Sequence, residues 1–323
     1  MIRDINPRFF LFENVAAFWK TGCIDKNNDI VSIGDMIMDE LSNKYLIYNK
    51  IVNFKNYGSN SSRTRTLVIG VDKKISEDVS PFELMPDYIP EKTLVEVIGN
   101  MKSLNWGEYD SEDFFHSFRT YPEHMLSWIE NLKEGQSAFD NEDDYKKPHR
   151  IIDGKLVLNK SKNADKYTRQ TYDKVAPCIH TRNDQLASQN TIHPIDNRVF
   201  SIRELMNMMT IPSSFRWLDF SLEYLNSLSA DEKKLISKKE EVNIRQSIGE
   251  AVPTEIFRQI AHKIKTQLQL TSLNDREIRD LICEFNLDEY DKLYAYIRDN
   301  KDRYSLSTCS KIIELANCKR EKH

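Results

Sequence analysis

Three observations predict an α/β protein: a continuously apolar run near the amino terminus, an amphipathic helix behind it, and two further strand-like runs before residue 72. Phe9, Phe10, Leu11 and Phe12 form the run, the pattern of a parallel strand covered on both faces. It stops at Glu13, so a carboxylate is expected at the strand's carboxyl end, where open α/β sheets expose functional groups. Ile33, Met36, Ile37 and Leu41 recur at helical spacing, with Ser32 available to cap the first turn. Tyr45 to Phe54 and Thr66 to Val71 read as the second and third strands.

Beyond residue 75 the pattern breaks. Pro81, Pro86 and Pro90 punctuate the chain and the apolar runs shorten. Phe114, Phe115, Phe118, Met125, Leu126, Trp128 and Ile129 predict a small helical core, and Gly135 to Asp144 an exposed acidic loop. Arg203, Glu204, Leu205, Met208 and Met209 restore a helical pattern that stops at Pro212, the methionines serving as core filler. A second helix is expected after Pro253, through Ile256, Ile260 and Ile264. Three short amphipathic helices should follow between Gln267 and His323, marked by Ile278, Leu281, Ile282 and Phe285, then Leu293, Tyr296 and Ile297, then Ile312, Ile313 and Leu315. The expected segments are 1–75, 76–190, 191–265 and 266–323.

At 323 residues and 40% hydrophobic content the chain can bury a core in each of two domains. No apolar stretch approaches the ~20 residues of a membrane span, and no signal-type segment opens the chain. The cysteines Cys23, Cys178, Cys283, Cys309 and Cys318 have no metal-ligand spacing, so a soluble protein of the reducing cytoplasm, without a metal, is expected. The net charge of −4 conceals a division. From Asp72 to Asp144 there are 18 acidic and 6 basic residues, and from Tyr145 to Arg182 only 3 acidic and 10 basic. The second stretch, with Lys160, Lys162 and Lys166, has the footprint of a phosphate-backbone contact. Arg182, Asn183, Gln185 and Gln189 behind it are residue types that read bases or hold phosphates.

Four short strings stand in order along the chain: Glu13-Asn14-Val15, then Ser61-Ser62-Arg63-Thr64-Arg65, then Arg203-Glu204, then Gly249-Glu250-Ala251-Val252-Pro253. In this order and context they resemble the carboxyl-terminal half of the cytosine-5 DNA methyltransferases. The resemblance covers roughly residues 1–75 and 190–265. It implies the closing half of a Rossmann-like S-adenosylmethionine-dependent methyltransferase sheet, with 76–190 as target-recognition region, 191–265 as recognition-supporting and cofactor-closing helices, and a helical tail. Members of this family also carry a glycine-rich turn for S-adenosyl-L-methionine and a Pro-Cys-Gln nucleophile, neither of which precedes Glu13. Pro177-Cys178 lies downstream and is followed by Ile179, so Cys178 is read as a structural thiol. The expectation is the small subunit of a two-chain enzyme, whose second polypeptide brings the nucleophile and the glycine-rich motif. An inactive truncated fragment and a non-enzymatic DNA-binding module are the alternatives.

The implied reaction moves a methyl group to carbon 5 of cytosine in a specific sequence of double-stranded DNA, as in restriction–modification. That carbon becomes nucleophilic only when a thiolate adds at carbon 6 and the charge entering the ring is stabilised. By resemblance, Glu13 would hold ring nitrogen 3 and the exocyclic amine of a flipped cytosine. Arg63 and Arg65 stand at the entrance of a strand and are expected to do different jobs. Arg65 would meet the ring carbonyl, while Arg63 would steady Glu13, the thiolate or a phosphate. Glu250 and Ala251 would neighbour the cofactor. Ser61 and Glu250 depart from the family's usual Gln and Asn.

Overall fold

The structure, a computed structural model, describes residues 1–118, 121–160, 165–269, 275–283, 290–300 and 303–320. They divide into two units, one of residues 1–52, 64–87 and 258–323, the other of residues 53–63 and 88–257.

The first unit begins with α1 (Ile2–Ile5), β1 (Phe9–Val15), β2 (Gly22–Ile24), β3 (Ile30–Ser32), α2 (Ile33–Leu41), β4 (Tyr45–Asn53) and β5 (Thr64–Asp72). The three long strands form a sheet in the order β1-β5-β4. Two expectations are corrected here. β1 runs antiparallel to β5, with Phe9 opposite Val71 and Val15 opposite Arg65. Glu13 is not the end of its strand: it lies opposite Leu67, and pairing continues through Asn14 and Val15, with the Val15 amide donating to Asn14 Oδ1 and its carbonyl accepting from Thr66 Oγ1. The strand covered on both faces is the central β5, buried continuously from Thr66 to Asp72, whereas β1 buries only Phe10. An apolar run records burial and carries no strand direction.

The helix between the strands forms as its spacing requires. Ser32 Oγ accepts the amide of Asp35 at 3.0 Å, and Leu41 packs with Phe10, Tyr45 and Val68. A Cβ at Gly70 would overlap the Phe10 ring, so this close approach needs glycine. The hairpin of β2 and β3 has no apolar alternation to announce it: Ile24 and Ile30 are paired and exposed.

The second unit contains α3 (Leu94–Ile98), α4 (Leu126–Ile129), β6 (His149–Ile152), β7 (Lys155–Leu158), α5 (Ile202–Met208), α6 (Leu222–Ser227) and α7 (Ala230–Glu250). The aromatic residues expected to form one helical core are divided between two. Phe114 and Phe115 pack with Leu205 and Met206 of α5 and Ile244 and Ile248 of α7. Phe118, Trp128 and Ile129 pack with Tyr167, Leu186, Ile192 and Val199. Residues 191–257 thus share a core with the segment before them, because α5 and α7 supply the apolar faces that its short helices lack. Gly135 to Asp144 is only partly a surface loop, since Ser137 and Ala138 are buried and Ser137 Oγ donates to Lys166 O at 2.7 Å.

α7 escapes pattern recognition because its buried stripe is polar: Lys233, Ser237, Glu241 and Arg245, four residues apart, face inward. Each has a partner, as burial demands. Lys233 Nζ donates to Ser111 O at 3.0 Å, and Arg245 Nε to Glu241 Oε1 at 2.7 Å.

The chain then forms α8 (Thr254–Gln269), α9 (Asp275–Cys283), α10 (Tyr290–Asp299) and α11 (Leu306–Arg320). Residues from 258 onward belong to the first unit, where Lys263 Nζ holds Met85 O at 2.7 Å and Asp87 Oδ1 at 2.6 Å. The three tail helices pack through Ile278, Ile282, Leu293, Ile297 and Ile312. Phe285 lies outside the described residues.

Candidate functional site

In the first unit the β1–β5 register brings two of the expected residues together. Glu13 opposes Leu67 and Arg65 opposes Val15, so the two charged side chains are diagonal neighbours on one face of the ladder. Arg65 Nε lies 3.0 Å from Glu13 Oε1, with the side chains 18% and 17% exposed. The N–H is not aligned on that oxygen, so the contact is one of charge, and Oε1 is buried with hydrogen-bonding capacity left over. A carboxylate held this way can accept from an amino or imino group brought against it.

Arg63, the other arginine expected at this site, directs its guanidinium at backbone carbonyls. It is buried in the second unit, where Nη1 donates to Gly249 O at 3.2 Å and Ile179 O at 3.4 Å and lies 4.0 Å from Cys178 Sγ. Arg63 precedes β5, which begins at Thr64, so the ladder fixes the direction of Arg65 alone and the two guanidiniums reach different partners: one a carboxylate, the other backbone carbonyls. Ser61 is fully buried, its hydroxyl within 3.7 Å of Met209 Sδ, which accounts for a small residue at this position.

In the second unit Lys166, Arg182, Gln185 and Gln189 line one open groove of about 340 Å³, together with His180 and Ser188. Arg182 is the most available of them: its side chain is 63% exposed and lies 3.6 Å from Asp184. Gln189 Nε2 donates to both carboxylate oxygens of Asp165 at 2.9 Å. Asn183 is corrected from base contact to structural residue. It is buried, and Nδ2 donates to His180 O at 2.6 Å and to Arg245 O at 2.9 Å. Lys160 is exposed, and Lys162 lies outside the described residues. Gly249 packs so closely on His180 and Thr181 that a Cβ would come within 2.5 Å of the His180 backbone, fixing the groove wall against α7.

Arg169 also leaves the predicted basic footprint. It is buried, Nη1 donating to His193 O and Ile195 O at 2.9 Å and Nη2 to Ile129 O at 2.8 Å. Burial presses its pKa down, against the opposing pull of Asp196 and Glu134.

A second buried network was not foreseen. Arg198 Nη1 and Nη2 hold Glu204 Oε2 and Oε1 at 2.8 and 2.7 Å, and Arg198 Nε holds Asp196 Oδ2 at 2.9 Å. Burial alone would raise the Glu204 pKa, but the charge and hydrogen bonds of Arg198 outweigh it and bring it to about 2. His193 Nδ1 accepts the amides of Ile195 and Asp196, which leaves the proton on Nε2, 3.6 Å from Glu204 Oε1. Burial lowers its pKa to about 4 despite the neighbouring carboxylates. The one sequence signal was Ser201-x-x-Glu204, which forms a capping box on α5. Arg203 grips Asp113, Nε to Oδ2 at 2.5 Å and Nη2 to Oδ1 at 3.0 Å.

Glu250 and Ala251 end α7. Glu250 is exposed and accepts from Gln246 Nε2 at 2.9 Å, while the Ala251 amide is committed to Ser247 O at 3.0 Å. An exposed carboxylate at a helix carboxyl terminus suits a cationic sulfonium. The pair forms an edge and not a cradle, so it fits the methyl donor only in part. Among the described residues no cluster of His, Cys, Asp or Glu could hold a metal ion, and no helix is long and apolar enough to cross a membrane.

A family model for C-5 cytosine-specific DNA methylase matches residues 1–266. The chain is 27% identical to the type II methyltransferase M1.HgaI of Avibacterium volantium over 273 residues, spanning 82% of this chain and 68% of that protein. It is 24% identical to the type II methylase M.HgiDII of Herpetosiphon aurantiacus over 281 residues, 86% of this chain and 69% of that one. A crystal structure from E. coli, of a prophage-encoded protein provisionally designated a DNA modification methyltransferase, superposes with a TM-score of 0.51. It shares 16% identity and covers 83% of this chain and 71% of its own, a likeness of fold. With more than three quarters of its length inside the family model, the chain belongs to the C-5 cytosine-specific DNA methylase family.

Proposed function

We propose that this chain supplies the base-holding carboxylate and the DNA-reading body of a type II cytosine-5 DNA methyltransferase, acting with a thiolate and a glycine-rich cofactor turn carried on a second polypeptide. Enzymes of this family use S-adenosyl-L-methionine as methyl donor, and that molecule supplies the transferred methyl group. The observation that carries the proposal is the Glu13–Arg65 pair, with a buried carboxylate oxygen beside a guanidinium on one sheet face. Such a pair suits the edge of one pyrimidine: Glu13 accepts from the exocyclic amine and shares a proton with ring nitrogen 3, and Arg65 meets the ring carbonyl. As a thiolate adds to carbon 6, negative charge flows toward nitrogen 3, where Glu13 holds the proton.

The groove of Lys166, Arg182, Gln185 and Gln189 suits the phosphate backbone and bases of duplex DNA. Support for a partner comes from the sheet: within the described residues β1 pairs on one side only, leaving its other edge for a further strand. No Pro-Cys-Gln occurs in residues 1–323. The purified chain should incorporate no labelled methyl groups into DNA, and should do so once mixed with a polypeptide bearing the missing blocks. Robust incorporation by the chain alone would overturn the proposal, and a stable complex without activity would favour an inactive fragment.

A further inference from the structure

The hairpin of β6 and β7 buries almost nothing. Arg150, Ile151, Ile152, Lys155, Val157 and Leu158 are all exposed, an unusual display of branched apolar side chains. Asp153 and Gly154 form its two-residue turn, both at positive φ, 50° and 72°, which is the tight geometry that fits a twisted hairpin. The register pairs Arg150 with Val157 and Ile152 with Lys155. These four therefore share one face, and His149, Ile151, Leu156 and Leu158 share the other.

The two faces differ. At the base of the second, the His149 ring packs on Trp128 at 5.6 Å, tying the ribbon to a core of the second unit. The first face is free, with two cations interleaved with two β-branched residues. Neither Arg150 nor Lys155 has an ion-pair partner among the described residues. Between Tyr145 and Lys160 there are five cationic residues and one acidic residue, Asp153.

We infer that this ribbon enters the major groove of duplex DNA and reads the target sequence, with Arg150, Ile152, Lys155 and Val157 against the base edges. The inference rests on reading the second unit as the DNA-binding body, and names the part of it that determines specificity. Charge complementarity selects the occupant, since exposed unpaired cations flanked by lysines suit a polyanion and would cost desolvation against an apolar protein surface. Dimensions select the groove: strands ~4.8 Å apart with their side chains fit a groove about 12 Å wide and not one of about 6 Å. Arg150 suits guanine O6 and N7, and the methyl groups of Ile152 and Val157 suit the thymine methyl.

The test is selection of a random-sequence duplex pool by the full chain, followed by sequencing, for the wild type, for Arg150→Ala with Lys155→Ala, and for Ile152→Ser with Val157→Ser. All four positions are exposed, and a circular-dichroism melt at the wild-type midpoint verifies folding. The wild type should enrich one sequence family. Each variant should lose preference at one or more base pairs of it, by about 5- to 150-fold for each base no longer read directly. Ile24→Ser with Ile30→Ser, in the equally exposed hairpin of β2 and β3, should leave the preference intact. Variants that enrich the wild-type sequence at unchanged ratios, even with uniformly weaker binding, overturn the ribbon as reader and leave DNA binding by the second unit standing. A wild-type chain that retains no duplex removes the reading of the second unit itself.

Discussion

The Glu13–Arg65 pair and the Arg198–Glu204 pair are built from the same two residue types and have opposite character. In the first, both side chains keep some exposure, and one carboxylate oxygen is left without a hydrogen bond. In the second, both are about 1% exposed, and the two carboxylate oxygens receive two guanidinium bonds and the Ser201 amide. A satisfied buried pair fixes local structure, whereas a pair with unused hydrogen-bonding capacity is open to a ligand. Arg63 and Arg65 repeat the lesson two residues apart, one spent on carbonyls and one left beside an acid.

The largest expected effect tests whether Glu13 is chemically engaged. In the two-chain enzyme proposed above, Glu13→Gln should lower single-turnover methyl transfer by about 10²–10⁴-fold, while fluorescence anisotropy shows DNA affinity nearly unchanged. Equal losses in both would make Glu13 a structural acid like Glu204. Conversely, Arg198→Met strands Glu204 in the interior and should cost about 3–5 kcal/mol of unfolding free energy in urea titrations. Arg65→Met, at a partly exposed and screened pair, should cost no more than about 1 kcal/mol. A similar cost at both sites would erase the contrast.

Acid should sharpen it. The His193 pKa is lowered to about 4 in the folded chain, so from the usual histidine value of 6.5 downward the unfolded chain binds the extra proton. Stability is therefore fully present above about pH 6.5 and declines toward pH 4, by roughly 3 kcal/mol from this group. Glu204, held at about 2, adds a loss only as pH falls below about 4.5 toward that value, because there too the unfolded chain binds the proton first. His193→Asn should flatten the upper window of a stability-against-pH profile, and an unchanged slope there would assign the loss elsewhere. The smallest effect concerns the basic segment. Reversing the charge of Lys160, Lys162 and Lys166 together should weaken binding across DNA sequences and lower the salt slope by about 0.9 for each phosphate no longer neutralised.

The sequence by itself determined those features whose signal is local. α2 and the three tail helices follow from apolar stripes, α5 from the spacing of Leu205, Met208 and Met209 before Pro212, and Glu13 and Arg65 stand in short motifs that the β1–β5 register brings side by side. Tertiary structure decided the rest. Strand direction was invisible because Phe9 to Phe12 record burial and not pairing. α7 was invisible because its inward stripe of Lys233, Ser237, Glu241 and Arg245 looks solvated until partners from distant segments are in place. Asn183 and Gln189 are equally suited to reading bases, yet one is locked to α7 and the other lines an open groove. Arg169 and Arg182 carry the same charge, and only the fold buries the first among carbonyls and leaves the second at the surface. Residue type fixes what a polar side chain can bond to, but long-range packing fixes whether protein has already taken those bonds.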